Sequence, residues 1–185
     1  MNSTHRPRRA VRSLTVAAVA GSCLLLGPSP AQAAPVGHAP HQTGSALAAG
    51  PLVDLDPAPG PLDGASAVVL AVPTGRHATV VAFALTDIDR SAAGRRYGAH
   101  VHVGPCLPLQ PAAALGHYNV GGPPSPATEV WLDFTVTRSG RALAVTRVPF
   151  RIPAGAARSV VVHAEPTAPS GAAGGRQACL PVDFR

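Results

Sequence analysis

The chain has 185 residues, with 15 basic residues against nine acidic ones and a formal net charge of +6. All of the basic residues are arginine, and lysine is absent. This length is enough for one domain with a tail, and it excludes a multidomain enzyme. The 21 Pro and 19 Gly residues make up about a fifth of the chain, which is below the proportion typical of a wholly disordered protein.

The first 33 residues have the pattern of a secretory signal. Four arginines precede an apolar run from Leu14 to Leu26, and the segment Ala31-Gln32-Ala33 then matches a signal-peptidase site. The run is about thirteen residues long, shorter than the roughly 20 residues that a membrane-spanning helix needs. We therefore expect cleavage between Ala33 and Ala34 and a secreted, extracellular product with no membrane span. Two variants stay open, a twin-arginine signal at Arg8-Arg9 and a lipoprotein anchored through Cys23.

Most of the positive charge belongs to this signal. Residues 1–33 contain four of the 15 arginines and none of the nine acids, so removal of the signal leaves a net charge of +2. A nearly neutral chain without a basic, aromatic-containing surface motif is not expected to bind nucleic acid.

The remaining chain divides into a leader and a domain. Residues 34–64 are rich in Ala, Pro and Gly without a sustained period, which predicts a flexible leader. Residues 65–185 contain short runs rich in Val, Leu, Thr and Phe, separated by turn residues, which predict an all-β domain. About seven strands in about 120 residues favour a Greek-key antiparallel β-sandwich or flattened barrel. The predicted strands are Ala65–Val72, Ala78–Thr86, Ala99–Val103, Glu129–Thr137, Ala142–Phe150, Ser159–Ala164 and Ala178–Val182.

The histidines are the candidate functional residues. In a strand, His100 and His102 project from the same face, and two convergent imidazoles can begin a copper or zinc site. The alternative is an exposed polar face. His117 lies in the irregular stretch 104–128, and His163 ends an apolar strand where burial without a partner would be costly. We expect His38, His41 and His77 to be solvated bystanders.

Two cysteines remain after the signal, Cys106 and Cys179. An even pair in an exported chain is compatible with a disulfide bond. The alternative is two unrelated buried thiols.

Five short blocks, in this order, are similar to the copper–zinc superoxide dismutase family. They are Gly98-Ala99-His100-Val101-His102, Cys106, Gly116-His117-Tyr118-Asn119, Val161-Val162-His163 and Gly175-Arg176-Gln177-Ala178-Cys179. The resemblance spans residues 65–184. It implies that four histidines are copper ligands, that Cys106 and Cys179 form a disulfide, and that Arg176 receives the anion beside the metal. The implied ligands are His100, His102, His117 and His163.

The chain departs from this family where zinc would bind. In the family, the residue that matches His117 bridges copper to zinc, and further His and Asp residues complete the zinc site. No histidine lies between His117 and His163 here, so zinc is not expected, and the resemblance is to copper-only bacterial members. The loop from Glu165 to Gly175 is also short, with one charged residue. Glu129 is a candidate to orient His117 in place of zinc, the alternative being an exposed glutamate at a strand start.

These features favour a secreted copper-dependent superoxide dismutase, an oxidoreductase that alternates between Cu(II) and Cu(I) to convert superoxide into O2 and hydrogen peroxide. A blue-copper protein is excluded, because Met1 is the only methionine and both mature cysteines are expected to be bridged. Arg176 would attract the anion, and His117 would carry a proton, since imidazole titrates near neutral pH. The alternative is a non-enzymatic dismutase-like domain that binds or buffers copper.

Overall fold

The computed structural model describes residues 44–185. Several features of the sequence lie outside the described residues. They are the expected signal peptide with its cleavage site, the alternative lipid attachment at Cys23, and the leader histidines His38 and His41. Within the described part of the chain, no helix is long and apolar enough to cross a membrane. His77 lies in the turn between two strands and is exposed, as expected.

Ten β-strands account for nearly all of the regular structure in residues 44–185. Two short 3-10 turns, Arg90–Ala92 and Pro111–Ala114, are the only helical segments there. The strands are β1 (Ala46–Pro51), β2 (Val53–Asp54), β3 (Ser66–Thr74), β4 (Ala78–Thr86), β5 (Arg96–Tyr97), β6 (Ala99–His102), β7 (Phe134–Thr135), β8 (Ala142–Val148), β9 (Ser159–His163) and β10 (Arg176–Pro181).

The strands form two four-stranded antiparallel sheets and a small two-stranded one. The first sheet has the order β1-β3-β4-β8, the second has the order β2-β10-β9-β6, and β5 pairs with β7. The chain crosses repeatedly from one large sheet to the other, so residues 44–185 form a β-sandwich and no closed barrel. This confirms the predicted all-β antiparallel fold.

The core lies between the two large sheets and follows the two-residue period of the strands. In β3, for example, Ala67, Val69 and Ala71 are buried while Val68 and Leu70 on the opposite face are exposed. Strand β9 is different, because all five of its residues are buried. One face of β9 packs in the main core through Val160 and Val162, and the other is covered by irregular chain, so a site on that outer face is sheltered from solvent.

The prediction of a flexible leader up to residue 64 was wrong for residues 44–64. Strand β1 pairs with β3 over six residue pairs, from Ala46–Ala71 to Pro51–Ser66, and β2 pairs with β10. Backbone hydrogen bonds hold this segment in place. Because its side chains are mostly the small Ala and Gly, the hydrophobicity of the sequence does not indicate a strand there. Leu52, Leu55 and Leu62 are also buried. The domain therefore includes the segment from residue 44.

The prediction of one continuous strand from Glu129 to Thr137 was also wrong. Regular pairing there is confined to β7, and the preceding residues make isolated bridges, His100 with Trp131 and Asn119 with Glu129. The segment pairs in turn with a loop, with β6 and with β5, so no single partner strand sustains a ladder. This irregular path brings Glu129 next to the loop that carries His117.

Candidate metal centre

The two histidines of β6 lie on the outer face of the second sheet. Ala99 and Val101 point into the main core, and His100 and His102 point the other way because successive side chains of a strand alternate. Both imidazoles are completely buried. The alternative of an exposed polar face is therefore wrong.

Two other elements bring histidines to the same place. His117 forms a backbone bridge with His102, and His163 ends β9, where its backbone N–H donates to the carbonyl of Gly98 at 2.8 Å. One ring nitrogen from each histidine lies within 4.8 Å of the corresponding atom of every other. The four predicted ligands thus form one cluster that could hold a metal ion.

Backbone carbonyls and a carboxylate fix the protonation of three of the rings. Nδ1 of His102 lies 3.2 Å from the carbonyl of Leu115, and Nδ1 of His163 lies 3.3 Å from the carbonyl of Gly174. Nδ1 of His117 lies 2.8 Å from Oε2 of Glu129. Since these oxygens accept, each Nδ1 carries the hydrogen, and each Nε2 keeps a lone pair.

The free nitrogen atoms are positioned for a cation. Nε2 of His102 lies 3.3 Å from Nε2 of His163, so two lone pairs face each other without a hydrogen between them. Nδ1 of His100 is buried and has no hydrogen-bond partner among residues 44–185. A buried polar atom without a partner is costly, and a metal ion shared by the four rings would satisfy all of these lone pairs. The residues therefore fit a metal ion with nitrogen ligands.

The fold also keeps three of the imidazoles uncharged. Burial, followed by the proximity of His117 and the other imidazoles, lowers the pKa of His100 to about 2 and that of His102 to about 3. Burial likewise lowers the pKa of His163 to about 4. A neutral imidazole is the form that binds metal, so the fold presents three ligands that are already deprotonated at neutral pH.

Glu129 lies against His117 and is 3% exposed. Its Oε2 also accepts a 2.8 Å bond from Nε1 of Trp131, and its Oε1 accepts one from Nδ2 of Asn119 at 3.0 Å. Burial alone would raise the pKa of Glu129, but these three hydrogen bonds lower it below its ordinary value. The alternative of an exposed glutamate is therefore wrong. An ionised carboxylate holds the ring of His117 in place.

The loop that follows His163 closes over this carboxylate. Gly171 has a φ of +83°, and a Cβ there would lie 2.7 Å from Cβ of Pro124 and 3.6 Å from Oε2 of Glu129. A larger residue at position 171 would push apart the loops 164–175 and 119–128. Glycine therefore allows the two loops to bury Glu129 together.

An open cavity of about 530 Å³ adjoins the cluster. His117 and His163 line it, together with Arg176 and the loop residues Pro124, Ser170, Gly171, Ala172, Ala173 and Gly174. The guanidinium of Arg176 donates to the carbonyls of Pro111 and Leu115. Those two bonds use two of its five N–H groups, so a fixed cation with donors to spare faces the same cavity as the histidines.

A disulfide joins Cys106 to Cys179, across 73 residues of chain. Cys179 is buried with Leu55, Ala114 and Val161 in a small core of its own. The alternative of two free thiols is therefore wrong. The bond attaches the irregular segment that contains Pro111 and Leu115, which hold Arg176, to the strand that carries Arg176.

Comparison with known proteins identifies a fold only. No family model matches this chain, and no curated protein matches it. Among solved structures, the chain is similar to the crystal structure of the clock protein EA4. The TM-score is 0.57 at 15% sequence identity, and the similar region covers 80% of this chain and 99% of that one. The structural similarity supports the β-sandwich fold, and an identity this low gives no information on activity.

Four residues of the site were not anticipated from the sequence. Trp131 is partly exposed and donates to Glu129. Asn119 accepts from the backbone of Gly121 at 2.6 Å and donates to Glu129. Thr167 contacts His100, with its Oγ1 2.8 Å from Nε2, and Asp133 binds Thr167. Asn119 belongs to the block Gly116-His117-Tyr118-Asn119, but its contact with Glu129 is not evident from that block. Isolated Thr and Asp residues such as Thr167 and Asp133 carry no motif, so no sequence signal would have found them.

Proposed function

We propose that this protein is a secreted copper-dependent superoxide dismutase that works without a zinc site. The observation that carries the proposal is the convergence of four imidazole lone pairs beside an open cavity that also contains Arg176. The cavity supplies an approach for a small anion, and the arginine supplies the charge that attracts it.

The donor set favours copper. His100, His102, His117 and His163 offer nitrogen alone, a set that suits Cu(II), and the cluster has no thiolate or thioether of the kind used by blue-copper sites. Bound copper would supply one-electron redox chemistry, taking an electron from one superoxide to release O2 and giving it to a second, which leaves as hydrogen peroxide with two protons.

His117 is the candidate to move a proton. Its Nδ1 already holds a hydrogen in the bond to Glu129, so Nε2 is the atom that can bind metal or accept a proton. Because Nδ1 donates to a carboxylate, it has no lone pair for a second metal ion, which supports a site without zinc. His117 is also the most exposed of the four rings, so its proton can be replaced from solvent.

Arg176 is the candidate to receive the anion. Its two bonds to backbone carbonyls hold the guanidinium at the wall of the cavity. Burial lowers the pKa of Arg176, yet a guanidinium stays charged at any physiological pH. A fixed positive charge at a site entrance raises the association rate of an anion, and added salt weakens the effect.

The Cys106–Cys179 disulfide supports secretion, because such bonds persist in oxidising compartments. The sequence signal at residues 1–33 points the same way.

The proposal is tested by loading the purified protein with copper, counting the bound metals and following superoxide decay after pulse radiolysis. We expect one copper per chain and a decay rate far above that of a variant with all four histidines replaced by alanine. His77→Ala, which removes an exposed histidine, should match the parent protein in both measurements. Circular dichroism would establish that the fourfold variant is folded.

Full copper occupancy with no rate above the fourfold variant would reject the enzyme and support a copper-binding or copper-buffering domain. Zinc bound at full occupancy in the native protein would reject the copper-only site.

A further inference from the structure

The outer face of the first sheet, on the far side from the core, is apolar. A sheet that meets water on one face usually alternates apolar residues inside with polar ones outside, but β3 and β8 carry apolar residues on both faces. The pairing register aligns the outward side chains in rows across the four strands. Ten of these side chains are apolar, and we call this set the outer apolar face: Leu47, Ala49, Val68, Leu70, Val72, Val80, Ala82, Ala84, Leu143 and Val145.

Much of the outer apolar face meets solvent. Leu47 is 74% exposed, Leu143 65% and Val145 63%, and the three outward side chains at the centre of β3 are exposed as well. Together these six large side chains present roughly 600 Å², at the upper end of the apolar patches found on monomeric proteins. If two copies covered each other there, about 1,200 Å² would be buried, the lower limit for a specific and stable interface.

We propose that the outer apolar face is the interface of a homodimer, in which the first sheets of two copies of this chain pack face to face. Two aligned sheets pack about 10 Å apart, with their strand directions within about 30° of each other. A twofold interface uses the same patch on both copies, so a flat patch that is apolar throughout is suited to pack against itself. The inference goes beyond the proposed function and depends neither on copper nor on dismutase activity.

The shape of the face selects the direction of the twofold axis. The outward residues Ala82 and Ala84 of β4 are small and half-buried, whereas the neighbouring β3 presents Val68 and Leu70. The face therefore has a ridge along β3 beside a groove along β4. Because the strand order is β1-β3-β4-β8, an axis parallel to the strands lays β3 of each copy over β4 of the other, and each ridge enters a groove. An axis across the strands would place ridge on ridge.

Charges at two corners of the sheet favour the same axis. Arg147 of β8 is exposed and lies in the same row as Val72. At that end of the sheet, beside β1, Asp183 and Arg185 line a cavity of about 380 Å³ together with Leu47. An axis parallel to the strands brings Arg147 of each copy to this corner of the other, where Asp183 can pair with it as well as with Arg185. Within one copy β1 and β8 are about 14 Å apart, three strand spacings, so Arg147 and Asp183 do not meet there.

A second copy suits this face better than a lipid surface does. Protein segments that lie in a membrane interface usually combine Trp or Phe with a strongly basic rim, and the outer apolar face has no aromatic residue and a rim of mixed charge. The face also lies on the opposite side of the sandwich from the histidine cluster, which belongs to the outer face of the second sheet. Packing of the first sheets therefore leaves the cavity beside the histidines open in both copies.

The test is the oligomeric state of the purified protein, measured by sedimentation equilibrium from about 1 to 500 µM. We expect a monomer–dimer equilibrium with a dissociation constant of about 1 to 100 µM, since an interface of this size is at the small end of the stable class. Leu70→Lys puts an unpaired charge from each copy at the centre of the interface and should raise the constant at least about 100-fold. Val120→Lys changes a similarly exposed residue away from the face and should dimerise like the parent protein. Circular dichroism should show that both variants are folded.

A charge exchange tests the axis by a second route. Arg147→Glu and Asp183→Lys should each weaken the dimer by about 10-fold, because the symmetry doubles the small effect of one exposed pair. The double variant should recover most of this loss. Since the two residues are too far apart to pair within one copy, recovery can arise only between copies.

A parent protein that stays monomeric at about 500 µM, or a Leu70→Lys dimer as tight as the parental one, would overturn the proposal. A double charge variant without recovery would overturn the arrangement of the two copies. Co-sedimentation of a monomeric parent protein with phosphatidylcholine and phosphatidylglycerol vesicles would assign the face to a lipid surface and would likewise overturn the dimer. None of these measurements involves metal or superoxide, so a failure of the proposed function is distinguishable from a failure of this one.

Discussion

The carboxylate of Glu129 and the imidazole of His117 are joined by a 2.8 Å hydrogen bond between Oε2 and Nδ1. Their chain segments are linked too, because Asn119, two residues after His117, forms an isolated backbone bridge with Glu129. The acid therefore fixes both the orientation of the ring and the path of the loop that carries it.

Replacement of Glu129 by Gln should weaken copper binding by about 10- to 100-fold, the usual effect of losing a group that orients a metal ligand. The carboxylate accepts from three donors, and an amide must turn its NH2 group toward at least one of them. Chelator competition would measure the affinity. Fluorescence offers a second readout, because Trp131 is the only tryptophan and it contacts Glu129 directly.

Glu165→Gln removes an exposed carboxylate from the neighbouring loop and should leave the copper affinity unchanged. Equal losses in the two variants would mean that net charge, and not the hydrogen bond to His117, sets the affinity.

Arg176→Ala should lower the rate of superoxide decay at low ionic strength by about 10-fold or more while the copper content stays at the parental level. In the proposed function, the guanidinium attracts the anion but is not a metal ligand. Rates measured by pulse radiolysis between about 0.01 and 0.2 M salt should fall steeply for the parent protein and less for the variant, because salt screens the attraction.

Arg141→Ala removes a similar charge from an exposed position and should behave like the parent protein. Identical salt profiles for Arg176→Ala and the parent would remove Arg176 from any role in anion capture.

Loss of the disulfide in a Cys106→Ser, Cys179→Ser double variant should reduce the free energy of unfolding. The bond closes a loop of 73 residues, for which the chain-entropy model gives about 4 kcal/mol. Urea unfolding followed by circular dichroism would measure the change, and the parent protein treated with a reductant should show the same shift. No change in midpoint on reduction would contradict the expectation.

The metal-free protein should lose stability as the pH falls from about 7 to 5. The pKa values of His100, His102 and His163 are lowered to about 2, 3 and 4 in the folded state, whereas the unfolded chain takes up these protons near pH 6.5. The unfolded state therefore binds more protons in this window, and the free energy of unfolding decreases by about 1 to 4 kcal/mol per pH unit, the range for one to three protons.

Urea titrations of the metal-free protein at several pH values would measure this slope. A His102→Asn, His163→Asn variant lacks two of the three groups and should have a shallower slope, and His77→Asn should retain the parental one. A pH-independent stability between 7 and 5 would show that the cluster takes up protons without cost.

The sequence predicts the β-sandwich and the first two histidines of the cluster well, for different physical reasons, whereas His117 and His163 join the predicted set through the family resemblance. Alternating Val and Leu runs show which strands bury a face, and Ala78–Thr86 is predicted to the residue. His100-Val101-His102 places two rings on one side of a strand by the two-residue period alone. Such local patterns need no knowledge of the rest of the fold.

What the sequence does not predict depends on contacts between distant segments. Strand β1 is held by backbone pairing with β3. Its small Ala and Gly side chains give no hydrophobic pattern, so the sequence predicts a flexible leader there. Thr167 contacts His100 only because the loop 164–175 folds onto β6. Trp131 reaches Glu129 only because the segment that contains both residues follows an irregular path. The sequence leaves two interpretations of Glu129, an orienting carboxylate or an exposed residue at a strand start, and only its burial in the folded chain decides between them.

The disulfide gives the assembly of the metal centre an order in time. The segment that Cys106 anchors carries the carbonyl of Leu115, which accepts from Nδ1 of His102 and from the guanidinium of Arg176. A chain that has not yet been oxidised holds this carbonyl less firmly, so the ligand and the arginine are not yet set. We therefore expect oxidation to come first and metal capture second. A newly made reduced chain should then compete poorly for metal until it reaches an oxidising compartment.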